Sequence, residues 1–212
     1  TAKLEPSDGA AGDAFGTAVS FDGDTLAIGA PFHDASGTNV GACYVQRLVG
    51  GAWTLEAKLT DIGFAFADNF GAALDLEGDG LAVGLPISNV PGVTAGAVQF
   101  FTRAAGQWTG HFEMIGSETE GLDYLGSAVA LSGRFVAGGA PFAEPTPGAH
   151  SHGEVYVFEI TAPPTIEPYC TAKPNSLGCL PHMSWSGVPS TLNPSAFTLR
   201  CDAALNAKWG LL

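Results

Sequence analysis

The chain has 212 residues, 46% of them hydrophobic and only 14% charged, with 29 glycines and a net charge of −13. The acid excess sits in residues 1–162, where 19 acids face 5 bases; a surface of that sign repels nucleic-acid phosphates and anionic lipid but admits cations such as calcium. No apolar run approaches the roughly 18 residues of a membrane-spanning helix, so neither nucleic-acid binding nor membrane insertion is expected.

In chain order, Thr17–Asp22 alternates as a half-buried strand does, Asp22-Gly23-Asp24 supplies a tight turn, and Thr25–Ala30 returns. Pro31 ends that strand because proline cannot donate to a ladder. A loop rich in Gly, Ser, Asp and Asn leads to a third strand, Ala42–Arg47, and Gly50-Gly51 turns it into a fourth, Trp53–Leu59. A second copy follows with Ala72–Leu76, a Gly78-Asp79-Gly80 turn, Leu81–Leu85, Ala97–Thr102 and Trp108–Met114. The third has Ser127–Leu131, a Ser132-Gly133 turn, Phe135–Ala140 and Glu154–Ile160, but neither a fourth strand nor its Trp.

The copies are phase-locked at 55 residues: Asp13, Asp68 and Asp123, Gly16, Gly71 and Gly126, and Pro31, Pro86 and Pro141 all keep that interval. A fixed period this long marks an array of units, none of which buries its hydrophobic face alone. Four antiparallel strands in meander order make a β-propeller blade. The expected fold is therefore all-β, a partial propeller of three blades at about 1–57, 58–112 and 113–161. Ala2-Lys3-Leu4 matches Ala57-Lys58-Leu59 and reads as the end of a fourth strand, from an earlier blade or one that closes a ring. Residues 162–168 read as a Pro-rich linker, and 169–212 as a small Cys-containing β-rich module that is cut short.

Three of the four cysteines, Cys170, Cys179 and Cys201, fall in that Pro- and Ser-rich tail, which has little core of its own. This favours a disulfide and an oxidising compartment, with zinc as the competing reading. A Cys170–Cys179 bond is expected, leaving Cys201 over. Cys43 lies in a strand where the other copies have Val98 and Val155, and is expected to be a buried thiol.

Phe15-Gly16 followed by Gly29-Ala30-Pro31 resembles the FG-GAP repeat. Phe70-Gly71 with Gly84-Leu85-Pro86, and Leu125-Gly126 with Gly139-Ala140-Pro141, are the same motif with one substitution each. The approach Ser7–Gly16 is similar to the secreted bacterial version. The resemblance implies integrin-type propeller blades, usually about seven to a ring, so the chain reads as a piece of a longer protein. It also implies a test for calcium, which such blades bind through Asp-x-Asp-x-Asp-Gly-x-x-Asp hairpins. Asp22-Gly23-Asp24 is too short to wrap a cation; Asp75, Glu77 and Asp79 come closer but lack the later acid.

Among other candidates, the recurring Asp13, Asp68 and Asp123 suit carboxylates that fix a turn through backbone N–H groups. Asp34, Asn89 and Glu144 place an oxygen in the matching loop of each copy, which suits a cation, a sugar hydroxyl or solvent. His150 and His152 stand at i and i+2, where two imidazoles can share a metal. Trp53 and Trp108 are expected to pack within or between blades. No nucleophile elbow, zinc-protease helix or phosphate loop is present. The implied function is a non-catalytic binding or adhesion module, secreted or at the cell surface, with an extracellular protein or glycan as ligand. The alternatives are the accessory propeller of an extracellular enzyme whose catalytic domain is missing, and a glycan-binding lectin.

Overall fold

A computed structural model describes residues 2–34, 38–63, 68–88, 94–117, 121–144 and 152–160, together with the backbone of two later strands. The chain divides into two compact units, Thr1–Ile160 and Thr161–Leu212. The first unit holds three antiparallel sheets, and no helix occurs among the described residues. Blade 1 is β1 (Val19–Asp22), β2 (Thr25–Ala30), β3 (Ala42–Val49) and β4 (Ala52–Leu59), hydrogen-bonded in that order. Blade 2 repeats it with β5 (Ala73–Glu77), β6 (Gly80–Leu85), β7 (Ala97–Ala104) and β8 (Gln107–Met114). Blade 3 has β9 (Ala128–Ser132), β10 (Phe135–Ala140) and β11 (Glu154–Glu159). In the second unit β12 (His182–Ser186) pairs with β13 (Thr198–Asp202), and Met183 stands opposite Cys201. Cys170 and Cys179 lie outside the described residues.

The turns fall where the glycines place them. Gly23, Gly78 and Gly133 take φ of 56°, 58° and 56°, a left-handed geometry that costs any other residue more. The outer strands run longer than their apolar pattern suggests, because the Gly50-Gly51 and Ala105-Gly106 turns let pairing continue to Val49↔Ala52 and Ala104↔Gln107. Residues 2–4 form no strand, and neither an earlier blade nor a closed ring for them to join is found among the described residues. A strand exists only where a neighbour accepts its hydrogen bonds.

The core lies between blades. Ala27, Cys43 and Val45 of blade 1 pack against Phe70, Leu74, Leu76 and Val83 of blade 2. Ala82, Val98 and Phe100 of blade 2 do the same against Leu125, Leu131 and Val136 of blade 3. Cys43 is a free, fully buried thiol, and burial pushes its pKa up to about 12.

The repeat's recurring residues make this stacking possible. Gly16 donates its N–H to the Gly29 carbonyl within its own blade; Gly71 with Gly84 and Gly126 with Gly139 repeat the bond. Phe70-Gly71 and Leu125-Gly126 are also set hard against the preceding blade. A Cβ on Gly29 would stand 2.0 Å from the Gly71 carbonyl oxygen, and one on Gly84 2.0 Å from that of Gly126. Parallel bridges join Gly41 to Phe70 and Gly96 to Leu125 at the same seam.

Candidate functional site

In a meander blade the β2–β3 loop and the connection into the next blade leave from the same end. Behind that end each complete blade carries a buried polar network. In blade 1 the connector brings Asp8 and Asp13 against His33, Tyr44 and Lys58. Asp13 accepts from the Ala10 N–H and from His33 Nδ1, both at 2.8 Å. An ammonium only donates, so His33 Nε2 accepts from Lys58 Nζ at 2.7 Å and its proton sits on Nδ1, toward Asp13. Lys58 also reaches Asp8 at 2.5 Å and stands over the Tyr44 ring; the Tyr44 hydroxyl donates to the other Asp8 oxygen at 2.9 Å. Burial, then the Asp8 hydrogen bond, pushes the Tyr44 phenol above its ordinary range. Asp8 and the rim of Lys58 meet solvent. Beside them a cleft of about 310 Å³ opens between Pro6, Ala10, Asp13 and Phe15.

Blade 2 fills the same positions with different chemistry. Ser88, Gln99 and Glu113 stand where blade 1 has His33, Tyr44 and Lys58. The Ser88 hydroxyl donates to Glu113 at 3.1 Å, and Gln99 bonds Asp61 and accepts from the Ile62 N–H. Burial raises the Glu113 carboxyl above the ordinary glutamate range, opposed by the Ser88 bond and reinforced by the Asp61 charge. One frame thus holds a network built around a lysine and a histidine in one blade and an acidic one in the next.

The FG-GAP repeat family model matches residues 1–46 and 53–101. Those residues carry FG-GAP repeats. No curated protein matches it. The family assignment agrees with the sheets, whose Phe-Gly and Gly-x-Pro segments form the seams between blades. FG-GAP repeats build β-propeller modules that occur in extracellular and surface proteins.

The acids of the FG-GAP hairpins have their own partners. Asp75 accepts from the Ser20 hydroxyl at 3.3 Å and the Leu131 N–H at 2.7 Å, and Glu77 accepts from the Gly133 N–H at 2.5 Å. One repeat earlier, the Ser20 hydroxyl accepts from the Leu76 N–H and Asp22 from the Gly78 N–H. This clasp passes from the inner strand of one blade to that of the next. Asp79 turns away to Arg103 Nε at 2.7 Å. Asp75, Glu77 and Asp79 therefore point to three separate protein partners, and no group of three His, Cys, Asp or Glu side chains gathers as a metal site among the described residues.

The loop candidates are dispersed. Asp34 is exposed and accepts from the Asn39 N–H at 2.7 Å. Glu144 is half-buried, and His152 is exposed at the lip of a cleft on blade 3. Asn89 and His150 lie outside the described residues. Trp108 spans two blades, its Nε1–H donating to Glu56 at 3.1 Å, whereas Trp53 packs edge-on against Phe21 of its own blade.

Proposed function

We propose that this chain is a non-catalytic binding or adhesion module that works outside the cell, and that it recognises an extracellular protein or glycan through the loops of residues 32–41, 87–96 and 142–153. The observation that supports this most is the contrast between frame and filling. The blades repeat their seam hydrogen bonds position for position, while the groups behind the loops change from His33, Tyr44 and Lys58 to Ser88, Gln99 and Glu113. Variable chemistry on a rigid scaffold is how loops come to carry recognition. The titratable groups found there serve as tethers: His33 links Asp13 to Lys58, Lys58 holds Asp8, and together they hold the connector down. That leaves no activated nucleophile beside a general base in the networks described. The test replaces residues 34–39, 89–94 and 144–151 with Gly-Ser sequence, keeping the seam glycines, and compares the two proteins on a glycan array and on immobilised extracellular proteins. Binding by the parent and not by the equally stable variant is the expected result. Binding that survives the replacement, or turnover of a polysaccharide or ester by the purified chain, would overturn the reading.

A further inference from the structure

The blade 1 network holds a contact that lasts only while one imidazole is neutral. His33 Nδ1 donates to Asp13 at 2.8 Å, and His33 Nε2 accepts from Lys58 Nζ at 2.7 Å. A protonated imidazole donates at both nitrogens and an ammonium only donates. A proton on His33 Nε2 would therefore set two positively charged donors face to face. Histidine is the side chain that ordinarily titrates between about pH 5 and 8, so this conflict belongs to mild acid.

The acceptor that resolves it is already in place. Asp8 Oδ2 lies 4.0 Å from His33 Nε2 and 2.5 Å from Lys58 Nζ. The other Asp8 oxygen accepts from the Tyr44 hydroxyl at 2.9 Å, which fixes the carboxylate between the two bases. Lys58 first, and Tyr44 after it, hold Asp8 below the ordinary aspartate range; the Ala10 N–H and then His33 do the same for Asp13. Both carboxylates therefore stay charged in mild acid. The groups that face His33 are Asp8 and Asp13 from the connector, Tyr44 from β3 and Lys58 from β4. Asp34, in the loop of His33 itself, is exposed and accepts from the Asn39 N–H. The two carboxylates favour an imidazolium, and the ammonium opposes it. The side chain of His33 is 8% exposed and that of Lys58 25%, so the lysine is the member with a path to solvent. The frame does not require the pair, because blade 2 completes the same four strands with Ser88 and Glu113 at these positions.

We propose that blade 1 carries an acid-driven exchange, in which a proton on His33 Nε2 transfers Asp8 from Lys58 to His33 and turns the Lys58 ammonium out to solvent. Asp13 stays on His33 and Asp8 stays on Tyr44 throughout, so the partners change inside a folded blade and the connector keeps its tether. The connectors and loops of this end, residues 5–16, 32–41, 60–71, 87–96, 115–126 and 142–153, contain no Lys or Arg. The exchange thus places a lysine charge on a face whose own ionisable side chains are carboxylates, histidines and a tyrosine.

NMR spectroscopy of the full chain between about pH 8 and pH 5 tests this. The His33 ring and Lys58 Cε signals should move together with one midpoint, while circular dichroism stays constant. His33→Gln keeps an oxygen to accept from Lys58 but cannot take up a proton, and its Lys58 signal should be flat over the interval. Lys58→Met removes the opposing charge and should move the His33 midpoint to higher pH. Asp8→Asn removes the charge of the waiting acceptor and should move it to lower pH. Should one variant fail to fold, the paired signals of the parent and the remaining variants decide. A His33 ring that does not titrate in the interval, or that titrates while Lys58 stays still, would overturn the proposal. So would a Lys58 signal that still moves in His33→Gln, a midpoint that either charge variant leaves unmoved or shifts the opposite way, or unfolding over the same interval.

Discussion

Two carboxylates of the blade networks respond to pH in opposite directions. Asp13 is buried and accepts from two N–H donors; the Ala10 amide first, then His33, holds its carboxyl below the usual range. Asp8 is lowered in the same direction, by Lys58 and then Tyr44. A depressed folded pKa contributes stability that is present above the unfolded value of about 3.9 and lost as the pH falls through the folded one. Asp13→Ala strands two donors and should cost about 1–3 kcal/mol at neutral pH, a loss that shrinks when melting is followed below about pH 4. Glu113 is raised by burial, so its contribution is present below the unfolded value of about 4.3 and lost as the pH rises through the folded one. Glu113→Gln keeps an acceptor for Ser88 and removes the buried charge. It should raise stability by about 0.5–1 kcal/mol at neutral pH and give no gain near pH 4; melting curves at the two pH values check it. At this scale the sequence disclosed Asp13, because its spacing recurs. It hid the rest of the network, because His33, Lys58 and Asp8 are far apart in the chain and the set occurs in one copy. The available signal was a pair of polar residues at matching positions in apolar strands, Tyr44 with Gln99 and Lys58 with Glu113.

Strands and turns were legible because their punctuation repeats: Gly-rich turns, a proline closing β2 and β6, and alternation between them. What an inner-strand carboxylate bonds to was not legible. Alternate acids on a strand entering a tight turn suit calcium and suit a clasp to the neighbouring strand equally well, and the clasp partners are backbone N–H groups 56 residues away. The β-bulge at Val45/Gln46, repeated at Phe100/Phe101, was equally silent. It leaves Glu56 unpaired in the ladder, and that side chain accepts from Arg103 at 3.2 Å and from Trp108. A bulge re-aims a side chain in this way. Two outcomes follow for the elements. Asp75→Ala, which removes the half-buried clasp to Leu131 and Ser20, should cost about 1–3 kcal/mol, and Glu77→Ala, at the exposed turn, about 0.5–1.5 kcal/mol. Calcium should bind no more tightly than about millimolar, the range of weak extracellular sites, because a cation at Asp75, Glu77 and Asp79 must displace the clasp and draw Asp79 from Arg103. Micromolar binding in a calorimetric titration, abolished by Asp79→Ala, would refute that expectation.

For the first unit as a whole, stability resides in the seams. Each hydrophobic cluster is shared by two blades, so a blade cannot keep its core when its neighbour leaves, and nearest-neighbour coupling of this kind makes the array melt together. The seam glycines give the sharpest test. Gly84 lies in β6 with an ordinary strand backbone, so alanine there costs nothing in dihedral angle; its cost is steric. The new Cβ would stand 2.0 Å from the Gly126 carbonyl oxygen and 3.2 Å from the Ala73 methyl. The first obstacle is backbone, which yields only if blade 3 moves as a body and the clasp and packing across the seam open with it. Gly84→Ala should therefore cost at least about 3 kcal/mol, at the upper end for an overpacked core, and lower the melting temperature by roughly 6–12 °C in a unit of this size. Gly139→Ala makes the same chemical change at the same position of the repeat, yet meets only Ala128, its methyl at 3.5 Å and its backbone no nearer than 3.8 Å, all ordinary van der Waals contact. Measured on monomer, its melting temperature should stay within about 2 °C of the parent. Equal losses for the two substitutions would show that the glycines act through strand propensity and not through the seam, and the account of the repeat as a set of interlocked blades would fail with it.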